Sequence, residues 1–169
     1  MDAAFVDFAI ACDARRIEDA LRLLPGVDPE AALDQIWFHE RTGGADVFAA
    51  LTRSDAYRDI LGRIDARLAA IEFERANRHL PLLEIIAASR PEVVTADNVV
   101  ACLEQACDDL RGPDFRTLCW LARRLSRREL SDFVRDMQFY PWLDTYIIGV
   151  MHAVYDATKG RHRAPRRRQ

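Results

Sequence analysis

The sequence predicts an all-α fold. Apolar residues recur every three or four positions along most of the 169-residue chain, and recognisable helix starts and stops bracket these recurrences. Almost no segment alternates with the period of two that a half-buried strand requires. An apolar fraction of 50% beside 30% charged residues is that of a globular protein, with too few Gly and Pro for a low-complexity chain. The expected organisation is a single helical domain over residues 1–158, followed by a basic, flexible tail over 159–169.

Phe5, Phe8, Ala9 and Cys12 mark a first short helix. Asp13 then suits the N-cap of a second helix, whose stripe is Ile17, Ala20, Leu21 and Leu24, and which stops at Pro25-Gly26. Asp28-Pro29-Glu30 opens a third: the carboxylate accepts from orphan amides, Pro is preset for the first helical position, and Glu complements the helix dipole. That helix runs through Leu33, Ile36 and Trp37 to Gly43-Gly44. A short segment around Val47, Phe48 and Leu51 precedes Ser54. Tyr57, Ile60, Leu61, Ile64, Leu68 and Ile71 then form the clearest amphipathic stripe in the chain, which predicts one longer helix.

Pro81 begins the next helix, with Leu82, Leu83, Ile85 and Ile86, and Pro91 closes it by pushing its predecessor out of the helical region. Residues 95–97 lead into Val99, Val100, Leu103, Ala106, Cys107 and Leu110, ended by Gly112-Pro113. Asp114 caps a helix carrying Phe115, Leu118, Leu121, Ala122 and Leu125. Ser126 and Glu129 have the spacing of a capping box, opening a helix through Leu130, Phe133, Val134 and Met137. A last helix after Tyr140-Pro141 carries Trp142, Ile147, Val150, Met151, Val154 and Tyr155.

Comparable short helices start near Asp13, Asp46, His79 and Asp114, separations of 33, 33 and 35 residues, the length of a helix-turn-helix repeat. Three stretches carry a more specific likeness: Ala11 to Pro29, with Ile17-Glu18-Asp19-Ala20-Leu21 and Gly26-Val27-Asp28-Pro29; His79-Leu80 to Asn98, with Leu82-Leu83 and Val94-Thr95-Ala96-Asp97; and Ala106-Cys107 to Glu129, with Trp120-Leu121. In order and spacing these resemble divergent ankyrin repeats. The resemblance implies short antiparallel helix pairs stacked as a compact solenoid that binds protein without catalysis. The family's Thr-Pro-Leu-His turn is absent, and residues 55–76 read as too long a helix for one repeat. An irregular helical bundle is the alternative.

Charge is unevenly placed. The 27 acidic residues and 18 arginines before position 158 leave the body at −9, whereas Lys159, Arg161, Arg163, Arg166, Arg167 and Arg168 give the tail +6. The tail is a candidate contact for nucleic acid or an acidic partner, and Phe139, Tyr140 and Trp142 are candidate interface anchors. Absence of a run of about 18 apolar residues, and Asp2 and Asp7 where a signal peptide carries basic groups, predict an intracellular protein, cytoplasmic or nuclear, with no membrane partner.

Catalytic and metal patterns are missing. Cys12, Cys102, Cys107 and Cys119 fall on apolar helical positions and read as small buried thiols. Cys102 and Cys107, five apart, point about 140° from each other around a helix and share no face. His39-Glu40 is half of a zinc-protease motif, but Gly43 stands where the second His is required, leaving a helix-end histidine. His152, among Val150, Met151 and Val154, is expected in the core or a groove. Asp108-Asp109 read as a solvated face. No phosphate-cradling glycine pattern and no Gly-x-Ser-x-Gly elbow occurs. Neither cofactor, metal nor catalysis is expected. The function predicted is a non-catalytic protein-interaction module or adaptor. The alternative is a structural subunit of a larger assembly, a virion or ribonucleoprotein, whose Arg-rich tail contacts nucleic acid.

Overall fold

The computed structural model describes residues 2–107, 114–137, 149 and 151–156, of Cys107 the backbone alone. Among these the secondary structure is helical throughout, with no strand. The α-helices are α1 (Ala3–Asp13), α2 (Ile17–Leu23), α3 (Pro29–Arg41), α4 (Ala45–Thr52), α5 (Asp55–Arg63), α6 (Ala66–Arg75), α7 (Leu80–Ser89), α8 (Ala96–Cys107), α9 (Phe115–Ala122) and α10 (Arg127–Met137). Short 3-10 turns occupy Leu24–Gly26 and Pro91–Val93, and residues 151–156 are again helical. The predicted all-α class is what the chain adopts.

Most ends are built as their residues dictate. The Asp28 carboxylate accepts from the Ala31 amide at 3.0 Å with Pro29 at the first helical position. Ser54 Oγ accepts from the Tyr57 amide at 3.2 Å, and Thr95 Oγ1 from that of Asn98 at 3.2 Å. Asp114 takes the amides of Arg116 and Thr117, with the Thr117 hydroxyl donating at 2.8 Å. Ser126 and Glu129 form the reciprocal box: the Ser126 amide donates to Glu129 Oε2 at 2.6 Å and the Glu129 amide to Ser126 Oγ at 3.2 Å.

Two expectations about ends require correction. Asp13 is the last residue of α1 and caps nothing in α2, which starts at Ile17 behind Arg16 with no side-chain cap. The chain turns instead through a Schellman motif, in which the Arg16 amide reaches Ala11 O at 2.8 Å and the Arg15 amide reaches Cys12 O at 2.9 Å. This puts Arg15 in the left-handed region, φ 54°. The end of α3 uses the same device with the residue suited to it: Gly43 has φ 87°, and the Gly44 amide reaches His39 O at 2.8 Å.

The second correction concerns the long amphipathic helix. It is two helices, because Ile64 is extended (ψ 157°) and Asp65 restarts the chain, its carboxylate accepting from the Leu68 amide at 2.7 Å. The carbonyls released at the end of α5 find a cation from far along the sequence: Arg90 Nη1 donates to Leu61 O at 2.6 Å and Ile64 O at 2.7 Å. The apolar stripe continues across the break, so periodicity alone does not reveal it.

The break also alters the counting of repeats. Helices start at Ile17, Ala45, Leu80 and Phe115, close to three of the four expected positions. Two helices, α5 and α6, separate the second start from the third, where only α3 separates the first from the second. Similar residue spacing therefore spans unlike sets of elements.

Two compact units are present: residues 1–69 with 84–91, and 70–83 with the chain from 92 onward. In the first, α1 packs on α2 and α3 on α4, while α1 also meets α3 and α2 meets α4; α5 then meets α3 and α4. Phe8, Leu24, Leu33, Ile36, Leu51, Tyr57 and Ile60 are fully buried, and Trp37 and Phe48 meet at a tilt of 51°, 5.1 Å between centroids. In the second unit α8 packs on α9. The Cys102 thiol approaches Phe73 O at 3.5 Å, Asn77 Nδ2 donates to Gln105 Oε1 at 2.8 Å, and Phe73 and Trp120 lie 6.3 Å apart.

Candidate functional site

Three places in the described structure hold chemistry or exposure that a sealed helical core does not need. The first joins α1 to α3. His39, on the last turn of α3, is 6% exposed, and its Nε2 lies 3.2 Å from Gln35 Nε2 and 3.5 Å from Asp13 Oδ1. Asp13 itself is largely exposed. Phe38 meets the same imidazole edge-on at 5.6 Å. Room for the ring exists because residue 44 is glycine, where a Cβ would stand 2.7 Å from His39 Nδ1. The cluster ties the end of α1 to α3. Among the described residues no group of three metal-ligating side chains converges.

The second is an apolar face. α1 is hydrophobic on all sides apart from Asp7 and Asp13. Phe8, Ala11 and Cys12 are buried, Phe5, Val6 and Ala9 are half-buried, and Ile10 is 51% exposed. On α3, which packs against α1, Phe38 is 44% exposed. A helix that is apolar all round belongs in an interior. Here the side in water carries Ala3, Asp7, Ile10 and Asp13, with Ile10 the large apolar residue among them.

The third is a basic face on α9 and the following turn. Arg116, Trp120 and Arg123 fall at i, i+4 and i+7, the spacing of one helix face, and Arg124, Arg127 and Arg128 continue beyond them. All five arginines are exposed. Arg124 is pinned, its Nη1 donating to Trp120 O at 2.7 Å and its guanidinium lying 3.0 Å from the centre of the indole. Carboxylates accompany them: Asp114 and Glu129 cap helices, Asp114 also feeling the Arg116 charge, and Asp132 pairs with Arg135 at 2.9 Å and distantly with Arg128 at 3.9 Å. Slight burial pushes the Asp114 carboxyl up, but hydrogen bonds from the Thr117 hydroxyl and from the Arg116 and Thr117 amides, with the Arg116 charge, outweigh it and hold it below its ordinary value. The Ser126 hydroxyl and amide hold Glu129 down likewise. Phe115, expected within the apolar stripe of α9, is 50% exposed beside Arg116.

The residues singled out in the sequence fare unevenly. Cys12, Cys102 and Cys119 are buried free thiols. Burial pushes Cys12 and Cys102 up to about 12, with lesser contributions from Asp13 and Glu74 respectively. His152 is exposed, not in the core, because residues 151–156 turn Met151 and Val154 inward instead. Phe139, Tyr140, Trp142, Asp108, Asp109 and the tail cations Lys159, Arg161, Arg163, Arg166, Arg167 and Arg168 lie outside the described residues. The Asp13–His39 contact joins residues 26 apart, and no local pattern marks it.

Compared with models of known families, with curated proteins and with solved structures, the chain matches none. No described helix is long and apolar enough to cross a membrane.

Proposed function

We propose that the chain is a non-catalytic protein-interaction module in which short helix pairs stack in succession, as in ankyrin-like solenoids, and a partner covers the open side of α1 and α3. The observation that carries this reading is the exposure of two large apolar side chains, Ile10 and Phe38, each about half in water, on α1 and α3, which pack on one another. The contacts of α1 with α3 and of α2 with α4 support the stacking, since each helix of one pair meets its counterpart in the next. A large apolar side chain at the centre of such a face is the usual anchor of a partner helix or loop.

The test compares the full chain with its Ile10→Glu, Phe38→Glu double variant as baits in one cell extract, with chemical cross-linking to map the contact. The expected result is a partner that cross-links near α1 and α3 and disappears with the double variant, while the helical signal and melting temperature stay unchanged. Recovery of the same proteins by both baits would exclude this face.

A second reading is favoured by the segregation of charge between an acidic body and a tail of six cations. Here the chain is a structural subunit of a nucleoprotein assembly, and the tail runs along phosphates. Deletion of residues 159–169 then abolishes salt-sensitive retention on immobilised nucleic acid and leaves protein binding intact.

A further inference from the structure

We infer that the Arg116, Trp120 and Arg123 face of α9, continued by Arg127 and Arg128 at the start of α10, is a contact surface for the phosphodiester backbone of a single-stranded nucleic acid. This surface is separate from the apolar face of α1 and α3, and it does not depend on the tail.

Charge is the first argument. The body as a whole is acidic, yet in this stretch Arg116, Arg123, Arg124, Arg127 and Arg128 outnumber the carboxylates Asp114 and Glu129, which accept from helix amides. At physiological ionic strength charges are screened beyond about 8 Å, so an approaching polyanion responds to the local patch and not to the distant net charge. Arginine is the residue for this purpose, since its fork of donors matches phosphate oxygens.

Shape is the second. Arg116 and Arg123 are seven residues apart, about 10 Å along the helix axis at 1.5 Å per residue. Cations spread along a line fit a repeating row of phosphates better than a lone phosphate, which would call for a pocket. Asp132 and Asp136 bound the stripe along α10, so a broad anionic bilayer would meet carboxylates as well as arginines. Aromatic exposure is the third. Phe115, half exposed at the first position of α9, lies about 100° around the helix from Arg116 and so flanks the cationic stripe; cationic tracks flanked by aromatics are how proteins hold unpaired strands, whose bases are free to stack. Arg124, held over Trp120 and bonded to its carbonyl, keeps the centre of the stripe in place.

The experiment measures fluorescence anisotropy of a labelled 20-nucleotide oligo-dT against the full chain at several salt concentrations. Four full-length proteins are compared: wild type; an Arg116→Gln, Arg123→Gln, Arg127→Gln face variant; Phe115→Ala; and a tail variant with Lys159, Arg161, Arg163, Arg166, Arg167 and Arg168 changed to Gln; a fifth combines the face and tail changes. Removing three phosphate contacts lowers the slope of log affinity against log salt by about 2 and weakens binding about 10- to 100-fold near 0.1 M salt. Phe115→Ala weakens binding about fivefold with the slope unchanged, the mark of a lost stack. The tail variant retains the dependence on Arg116, Arg123 and Arg127 when the two sets of changes are combined.

Equal affinity and slope for wild type and face variant would overturn the inference, as would no binding by any of the four. A duplex of the same length bound more tightly through the same arginines would overturn the single-stranded assignment. Arginine-dependent binding to vesicles rich in anionic lipid, without binding to the oligonucleotide, would replace nucleic acid by a membrane surface. An Arg→Lys version of the face variant, which keeps the charge, restores the slope and separates lost contacts from a disturbed fold.

Discussion

At the scale of single residues, the clearest imperfection is Arg15. A side chain in the left-handed region costs roughly 1–2 kcal/mol, which glycine avoids at the expense of a more flexible unfolded chain. The Arg15–Asp46 pair at 3.4 Å is exposed on both sides and adds little. Arg15→Gly is therefore expected to raise stability by about 0.5–1 kcal/mol in urea denaturation, whereas Gly43→Arg, which puts the same strain at the matching turn, lowers it. Cys12 and Cys102 give a chemical test of burial. With their thiols pushed up to about 12, the reactive thiolate at pH 8 is about a thousandfold scarcer than in an ordinary cysteine, before access is considered. Peptide-level mass spectrometry after iodoacetamide is expected to find both residues unlabelled in the folded protein and labelled in urea. Labelling at native rates equal to those in urea would contradict their burial.

At the scale of elements, the break between α5 and α6 depends on a residue outside both. Arg90 supplies a charged donor to two carbonyls that the end of α5 leaves without helical partners. Hydrogen bonds to a charged group contribute about 1.5–3 kcal/mol. Arg90→Met, which keeps much of the stem and removes the donors, is expected to destabilise the fold by about 1–3 kcal/mol by chemical denaturation. The caps of α9 and α10 carry a pH signature. Asp114 and Glu129 have lowered folded pKa values, so they favour the folded state above the unfolded carboxylate range and lose that contribution as pH falls through their folded values. Stability is expected to drop on going from pH 6 to pH 3, and to drop less in an Asp114→Asn, Glu129→Gln variant. An equal drop in both proteins would place the acid sensitivity elsewhere.

At the scale of the whole molecule, exposure separates surfaces of use from surfaces of structure. Ile10→Glu and Phe38→Glu are each expected to leave stability within about 0.5 kcal/mol, because half-exposed side chains give up little on becoming charged, and the melting temperature checks this. Leu33→Ala or Ile60→Ala, at fully buried positions, costs about 2–5 kcal/mol by contrast. Neutral cost at Ile10 and Phe38 together with loss of a partner is the pattern of an interface.

The helical class, and the starts at Asp28, Ser54, Asp114 and Ser126, were legible in the residues because caps are local: a carboxylate or hydroxyl reaches an amide two or three positions on, wherever the rest of the chain lies. The thiol character of Cys12 and Cys102 followed from their apolar neighbours on the helix face. Long-range contacts decided the remainder. A continuous stripe from Tyr57 to Ile71 reads as one helix until Arg90, 26 residues beyond Ile64, is seen holding the broken end. The left-handed turn at Arg15 and the meeting of Asp13 with His39 are equally silent, since nothing near Arg15 or His39 in the chain encodes the packing of α1 on α3. Which apolar and basic side chains remain in water was likewise settled by packing, because periodicity identifies the face a helix can bury but not whether a neighbour arrives to cover it.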